Sequence, residues 1–131
     1  MNISYDGRTF APVSNSETGE VGDGTLFHYH QQGDLVCAEY SGGGVRFGTL
    51  IAKMLDDGSL DMRYQHVNVK GELMTGICRS TPEFLPDGRL RLHEKWQWTS
   101  GDHSSGESVI EETRGKKLLN PKKFSPRKPQ T

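Results

Sequence analysis

The chain has 131 residues, enough for one hydrophobic core and too few for two. A hydrophobic fraction of 32% with sixteen glycines is too lean for the broad apolar stripes of a helical bundle, whereas strands need apolar residues only at alternate positions. The net charge of −1 is unevenly spread: all seventeen Asp and Glu lie at or before Glu112 with nine basic residues, a net of −8, and the other seven basic residues, Arg114 to Lys128, carry +7 with no acid among them, so the body is not expected to be a nucleic-acid surface.

In chain order the alternation of apolar and polar residues predicts eight strands: Thr9 to Ser14, Thr25 to Gln32, Leu35 to Ser41, Val45 to Leu55, Leu60 to Val69, Glu72 to Leu85, Leu90 to Thr99 and Glu107 to Glu112. Asn15 to Gly24 is polar and glycine-rich and is expected to cross one end of the fold. Gly33-Asp34, Asp56-Asp57-Gly58-Ser59, Lys70-Gly71 and Pro86-Asp87-Gly88-Arg89 place Gly or Pro where tight antiparallel hairpins need them. Eight antiparallel strands in so short a chain favour closure into an up-and-down barrel, because closure removes both edges; an open sandwich is the alternative. The barrel domain is expected over residues 1–113. Residues 114–131, rich in Lys and Pro, are expected to form a disordered basic tail able to touch phosphate non-specifically.

Cys37 and Cys78 have neither metal-type nor disulfide-framework spacing, and no cofactor is expected. No segment reads as a signal peptide or approaches the roughly 18 apolar residues of a membrane span, which predicts a cytoplasmic protein with reduced thiols and no membrane partner.

Register follows from loop length, since a slip of one residue sends every side chain to the other face. Reading Lys70-Gly71 as a two-residue loop and Pro86 to Arg89 and Asp56 to Ser59 as four-residue loops turns Tyr64, His66, Thr75, Ile77, Arg79, Glu94, Trp96 and Trp98 inward, with Arg79 opposite Trp96. The same reading brings Val45, Phe47, Thr49 and Ile51 inside, and the Gly33-Asp34 turn adds Phe27, Tyr29 and Gln31 beside Val36, Ala38 and Tyr40.

Aromatics with polar tips converging in a small barrel describe a small-molecule site, and Tyr64, His66, Arg79, Glu94, Trp96 and Trp98 are its candidate residues. Arg79 reads either as the anchor of an anionic ligand or as half of a buried pair with Glu94, and pairing is favoured because buried charges are normally paired. Glu94 as a general acid is pulled both ways, upward by burial and downward by Arg79. His28-x-His30, with Cys37 and Glu39 opposite, falls outside the barrel, and no metal site is expected there. Neither a nucleophile elbow nor a phosphate-binding glycine loop is present.

Leu26-Phe27-His28-Tyr29-His30, Arg63-Tyr64-Gln65-His66, Cys78-Arg79-Ser80-Thr81-Pro82 and Leu92-His93-Glu94-Lys95-Trp96-Gln97-Trp98 resemble a family of small bacterial proteins commonly named N-acetylglutamate synthase, over about Met1 to Glu112. By shape that family is similar to the avidin and lipocalin barrels, which hold small ligands inside. The resemblance implies two functions, ligand binding in the barrel and acetyl transfer from acetyl-CoA to glutamate. No loop opening a helix is present to cradle the coenzyme's pyrophosphate, so binding is favoured over catalysis. Nucleic-acid or partner binding through the tail is a third reading.

Overall fold

In the computed structural model, which describes residues 3–114, the expected strands form and close. They are β1 (Thr9–Asn15), β2 (Leu26–Gln32), β3 (Leu35–Gly42), β4 (Val45–Met54), β5 (Leu60–Asn68), β6 (Leu73–Phe84), β7 (Leu90–Trp98) and β8 (Ser105–Glu112). Each strand pairs antiparallel with the next and β1 pairs with β8, giving a closed all-β barrel with no sheet edge to protect. The expected basic tail lies outside the described residues. Among those described, no helix is long and apolar enough to cross a membrane.

Three hairpins set the register, and each differs by one residue from the sequence expectation. Leu55 N–H donates to Ser59 O at 2.8 Å, Asn68 N–H to Glu72 O at 2.9 Å, and Leu85 N–H to Arg89 O at 2.8 Å. The loops are therefore the three-residue segments Asp56-Asp57-Gly58, Val69-Lys70-Gly71 and Pro86-Asp87-Gly88. In each, the glycine donates back to the residue opening the turn and takes a positive φ of 84–91°, the left-handed position of a turn followed by a bulge. The neighbouring Asp or Asn side chain accepts a backbone N–H inside each turn, which fixes its shape.

An odd loop pairs even-numbered positions with even-numbered ones, so Tyr64 stands opposite Gly76 and Cys78 opposite Trp96. This corrects the expected face of two strands. Arg79 lies opposite Lys95 on the outer surface, and Ile77, Phe47 and Ile51 are exposed, while Cys78, Ser80, Leu50 and Ala52 take the interior. Val45 stays inside because a bulge between Val45 and Phe47 restores its direction. The two-residue Gly33-Asp34 turn does form, with Gln31 opposite Val36, and β2 and β3 face as expected.

The interior is packed at one end. Tyr5, from the segment ahead of β1, tucks under the barrel, donating its hydroxyl to Gly58 O at 2.6 Å and its N–H to Gln31 Oε1 at 2.7 Å. Above it Phe10, Tyr29, Leu60, Leu90, Leu92 and Ile110 form a fully buried floor. The seam between β1 and β2 is short, paired only at Thr9 with His28 and Phe10 with Phe27, and residues 16–25 bridge the open part at the far end.

A Cβ added at Gly88 would meet no atom within 4 Å, while its φ of +91° disfavours any L side chain. Gly88→Ala is therefore expected to cost about 1–2 kcal/mol through backbone strain alone, read as a lower urea midpoint at unchanged slope; an unchanged midpoint would show that the turn tolerates a right-handed alternative.

Candidate functional site

Between the floor and residues 16–25 the barrel keeps a cavity of about 50 Å³. Small residues on the inner face make room for its aromatic wall. A Cβ on Gly76 would stand 2.2 Å from the Tyr64 ring, one on Gly48 2.5 Å from Tyr40, and one on Gly106 2.6 Å from Trp96. Each glycine thus lets a ring on the neighbouring strand lie against bare backbone, an arrangement that only hydrogen-sized side chains permit. The rings then meet edge to face: Tyr64 and Trp98 have centroids 5.7 Å apart at 64°, His66 and Trp98 5.7 Å at 80°, and Tyr40 and His66 5.6 Å at 86°. Phe27 and Tyr40 stack at 4.8 Å, and Trp96 leans on Trp98 at 5.7 Å.

At mid-depth one row of the sheet carries the polar chemistry. Ser80 on β6, Glu94 on β7 and Ser108 on β8 are register partners, and the Glu94 carboxyl accepts from Ser80 Oγ at 3.2 Å and from Ser108 Oγ at 3.4 Å. No ion pair to Glu94 exists among the described residues, because the expected partner Arg79 is on the other face of the sheet. Surrounded by protein, yet retaining some accessible surface at the cavity, the carboxyl is raised from its ordinary 4.5 to about 7; burial raises it and the two seryl hydroxyls only partly offset this. Burial first, and the nearby Glu94 charge with it, also push the hydroxyls of Tyr29, Tyr40 and Tyr64 and the Cys78 thiol upward, so these groups are neutral near pH 7.

Residues 16–25 form a lid tied down by side chains. Glu20 is its central pin: its carboxylate meets His66 Nε2 at 2.8 Å and accepts from Asn68 Nδ2 at 3.0 Å, and its carbonyl accepts from Gly44 N–H at 3.2 Å. His66 Nδ1 lies 2.9 Å from the Tyr40 hydroxyl, so an imidazole protonated on Nε2 satisfies both neighbours. Trp98 Nε1 donates to Thr18 O at 3.1 Å, and Asn15 Nδ2 donates to Val21 O at 2.9 Å. The Asn15 Oδ1 atom is buried without a partner among the described residues, although Asn15 lines the cavity.

Of the residues expected at the site, Tyr64, His66, Glu94, Trp96 and Trp98 line this cavity and Arg79 does not. His66 serves the lid as well as the wall. Cys78, Ser108, Asn15 and Glu20 also line it and were not anticipated, nor was Ser80, which is buried against Glu94; Cys78 and Ser80 follow once the loops beside β6 are read as odd, and the glycine ending each loop was the available signal. Outside the barrel His30 pairs with Glu39 at 2.8 Å and His28 lies 3.3 Å from Thr9 Oγ1, and no group of three or more His, Cys, Asp or Glu able to hold a metal ion occurs among the described residues.

A family model described as "Avidin-like protein" matches residues 3–113. Searches of curated proteins and of solved structures return no significant match.

Because the folded chain holds the Glu94 proton more tightly than an unfolded chain does, the linked stabilisation is complete below about pH 4.5 and is lost as pH rises to about 7. Its size is on the order of 3 kcal/mol. Thermal melts of the protein and of Glu94→Gln are expected to diverge across this window, the variant losing the decline; parallel curves would mean that Glu94 ionises with its ordinary affinity.

Proposed function

The chain belongs to the avidin-like protein family, and from that membership and the lidded cavity we propose that it is a binding protein for a small organic molecule held inside the barrel. The observation that carries this reading is the division of the interior. A packed barrel of this size needs neither a void nor a carboxyl at mid-depth, because an uncompensated polar group in the core costs stability that an apolar side chain would not. Here Glu94, Tyr64, Trp96 and Trp98 surround open space, while the floor a few residues away is filled by Leu90, Leu92 and Ile110. Aromatic walls with a few convergent polar groups are the usual chemistry of small-molecule pockets.

The anionic ligand expected from sequence rested on Arg79 and loses that support with Arg79 outside. Acetyl transfer, implied by the synthase name, is the alternative enzyme reading. Its requirements are less well met by this site: the inward nucleophile, the Cys78 thiol, is driven by burial away from the thiolate, and the cavity is small against the bulk of a coenzyme.

Trp96 and Trp98 are the only tryptophans of the chain and both line the cavity, so intrinsic fluorescence reports on its occupancy directly. Titration with a metabolite library is expected to yield compounds that shift or quench this emission saturably, with affinity reduced about tenfold or more in Trp96→Phe. Turnover of acetyl-CoA with glutamate by the purified protein would replace this reading with the enzymatic one, and a library without any saturable ligand would remove it.

A further inference from the structure

Resting on the binding reading above, we propose that the ligand is an organic cation carrying N–H groups, an ammonium or guanidinium head that takes Glu94 as its counterion and lies among the rings of Tyr64, Trp96 and Trp98. The polar atoms facing the cavity are the reason. Glu94 offers up to about four acceptor positions, and the described residues approach two of them with hydroxyls at 3.2 and 3.4 Å, longer than the usual O–H···O contact. Asn15 also lines the cavity, and its Oδ1 is buried with no partner among the described residues. No Arg or Lys among the described residues lines the cavity. Both ring nitrogens of His66, the basic side chain among the described lining residues, are already engaged by Tyr40 and Glu20. A ligand carboxylate or phosphate would meet a like charge with no Arg or Lys among the described lining residues to offset it, whereas a cation would pair with Glu94.

The surrounding rings add to the same preference. Indole and phenol faces attract cations through their quadrupole, and the attraction grows as water is excluded. A cavity of about 50 Å³ has room for a head group and not for a large ligand body, so any substituent would run toward the lid. The titratable groups packed around Glu94, namely Tyr29 on β2, Tyr40 on β3, Tyr64 on β5 and Cys78 on β6, together with Tyr5 below, are all held neutral near pH 7 by burial. Glu20 is the other carboxylate at the cavity and is taken up by His66 and Asn68. The cation would therefore be read by one negative charge, and binding would release the proton that Glu94 otherwise retains.

The experiment is a titration of the full chain with methylguanidinium, its neutral isostere N-methylurea, ethylammonium and acetate, followed by tryptophan emission and calorimetry. Methylguanidinium or ethylammonium is expected to bind at least tenfold more tightly than N-methylurea at pH 8, with acetate weakest. The advantage should fall about tenfold between pH 8 and pH 6 as Glu94 takes up its proton. In Glu94→Gln the cation advantage is expected to vanish while N-methylurea is retained; should that variant fail to fold, the pH profile of the unaltered protein reads the same charge. Equal or tighter binding of N-methylurea or acetate, or a cation preference that survives Glu94→Gln, overturns the proposed ligand charge and leaves the cavity reading standing. If none of the four probes and no library compound reaches the tryptophans, both fall together.

Discussion

A closed barrel allows each strand only two ways to face, and the choice is passed from strand to strand through the hairpin loops. In this chain three glycines, Gly58, Gly71 and Gly88, make that choice by occupying left-handed positions at the ends of three-residue loops. An L side chain there would cost about 1–2 kcal/mol, and a loop one residue longer or shorter would turn the strand over. With an even loop on either side of β6, Arg79 would enter the core and Ser80 would leave it. The interior carboxyl would then have a guanidinium beside it in place of the Ser80 hydroxyl. Everything chemical about the cavity therefore depends on backbone conformation at positions that never touch it.

Glycine acts a second time inside the barrel, by the opposite property. At Gly48, Gly76 and Gly106 it is the missing side chain that matters, because a ring from the adjacent strand occupies the volume a Cβ would claim. The aromatic wall is thereby held back against the sheet and the centre is left open. Stability is recovered at the other end, where Tyr5, Phe10, Tyr29 and the aliphatic floor exclude water completely. Such a division places the rigid, densely packed half beneath the half that carries polar groups short of partners, as a preformed site requires.

Much of this was legible in the sequence. Alternation and turn residues were enough for eight strands in order and for closure, and for the inward direction of Tyr29, Tyr40, Tyr64, His66, Glu94, Trp96 and Trp98, whose strands carry their Phe, Tyr and Trp on one face only. The two strands misassigned are those whose faces are ambiguous to the eye. β4 offers Phe47 and Ile51 to one side and Gly48, Leu50 and Ala52 to the other, and the larger pair lies outside. β6 offers Ile77 and Arg79 against Gly76, Cys78 and Ser80. On both strands the interior took the smaller residues because the opposing strands already supply the rings, a volume constraint invisible to any strand read alone. The Ser80–Glu94–Ser108 row could not be seen until that register was known.

The lid joins two strands that share only two paired positions, whereas β2 and β3 are paired along their whole length. At its ends Ser16 is bonded to Glu107 and Thr25 to Gly42, and between them its ties to the rim are hydrogen bonds made by Glu20, Thr18 and Val21. Lifting it would break those bonds and none of the strand pairings, so the time a molecule would spend in the cavity and the lifetime of the fold would be set by separate barriers. Selection could lengthen one without touching the other, which makes the seam the place where this barrel can be tuned as a container.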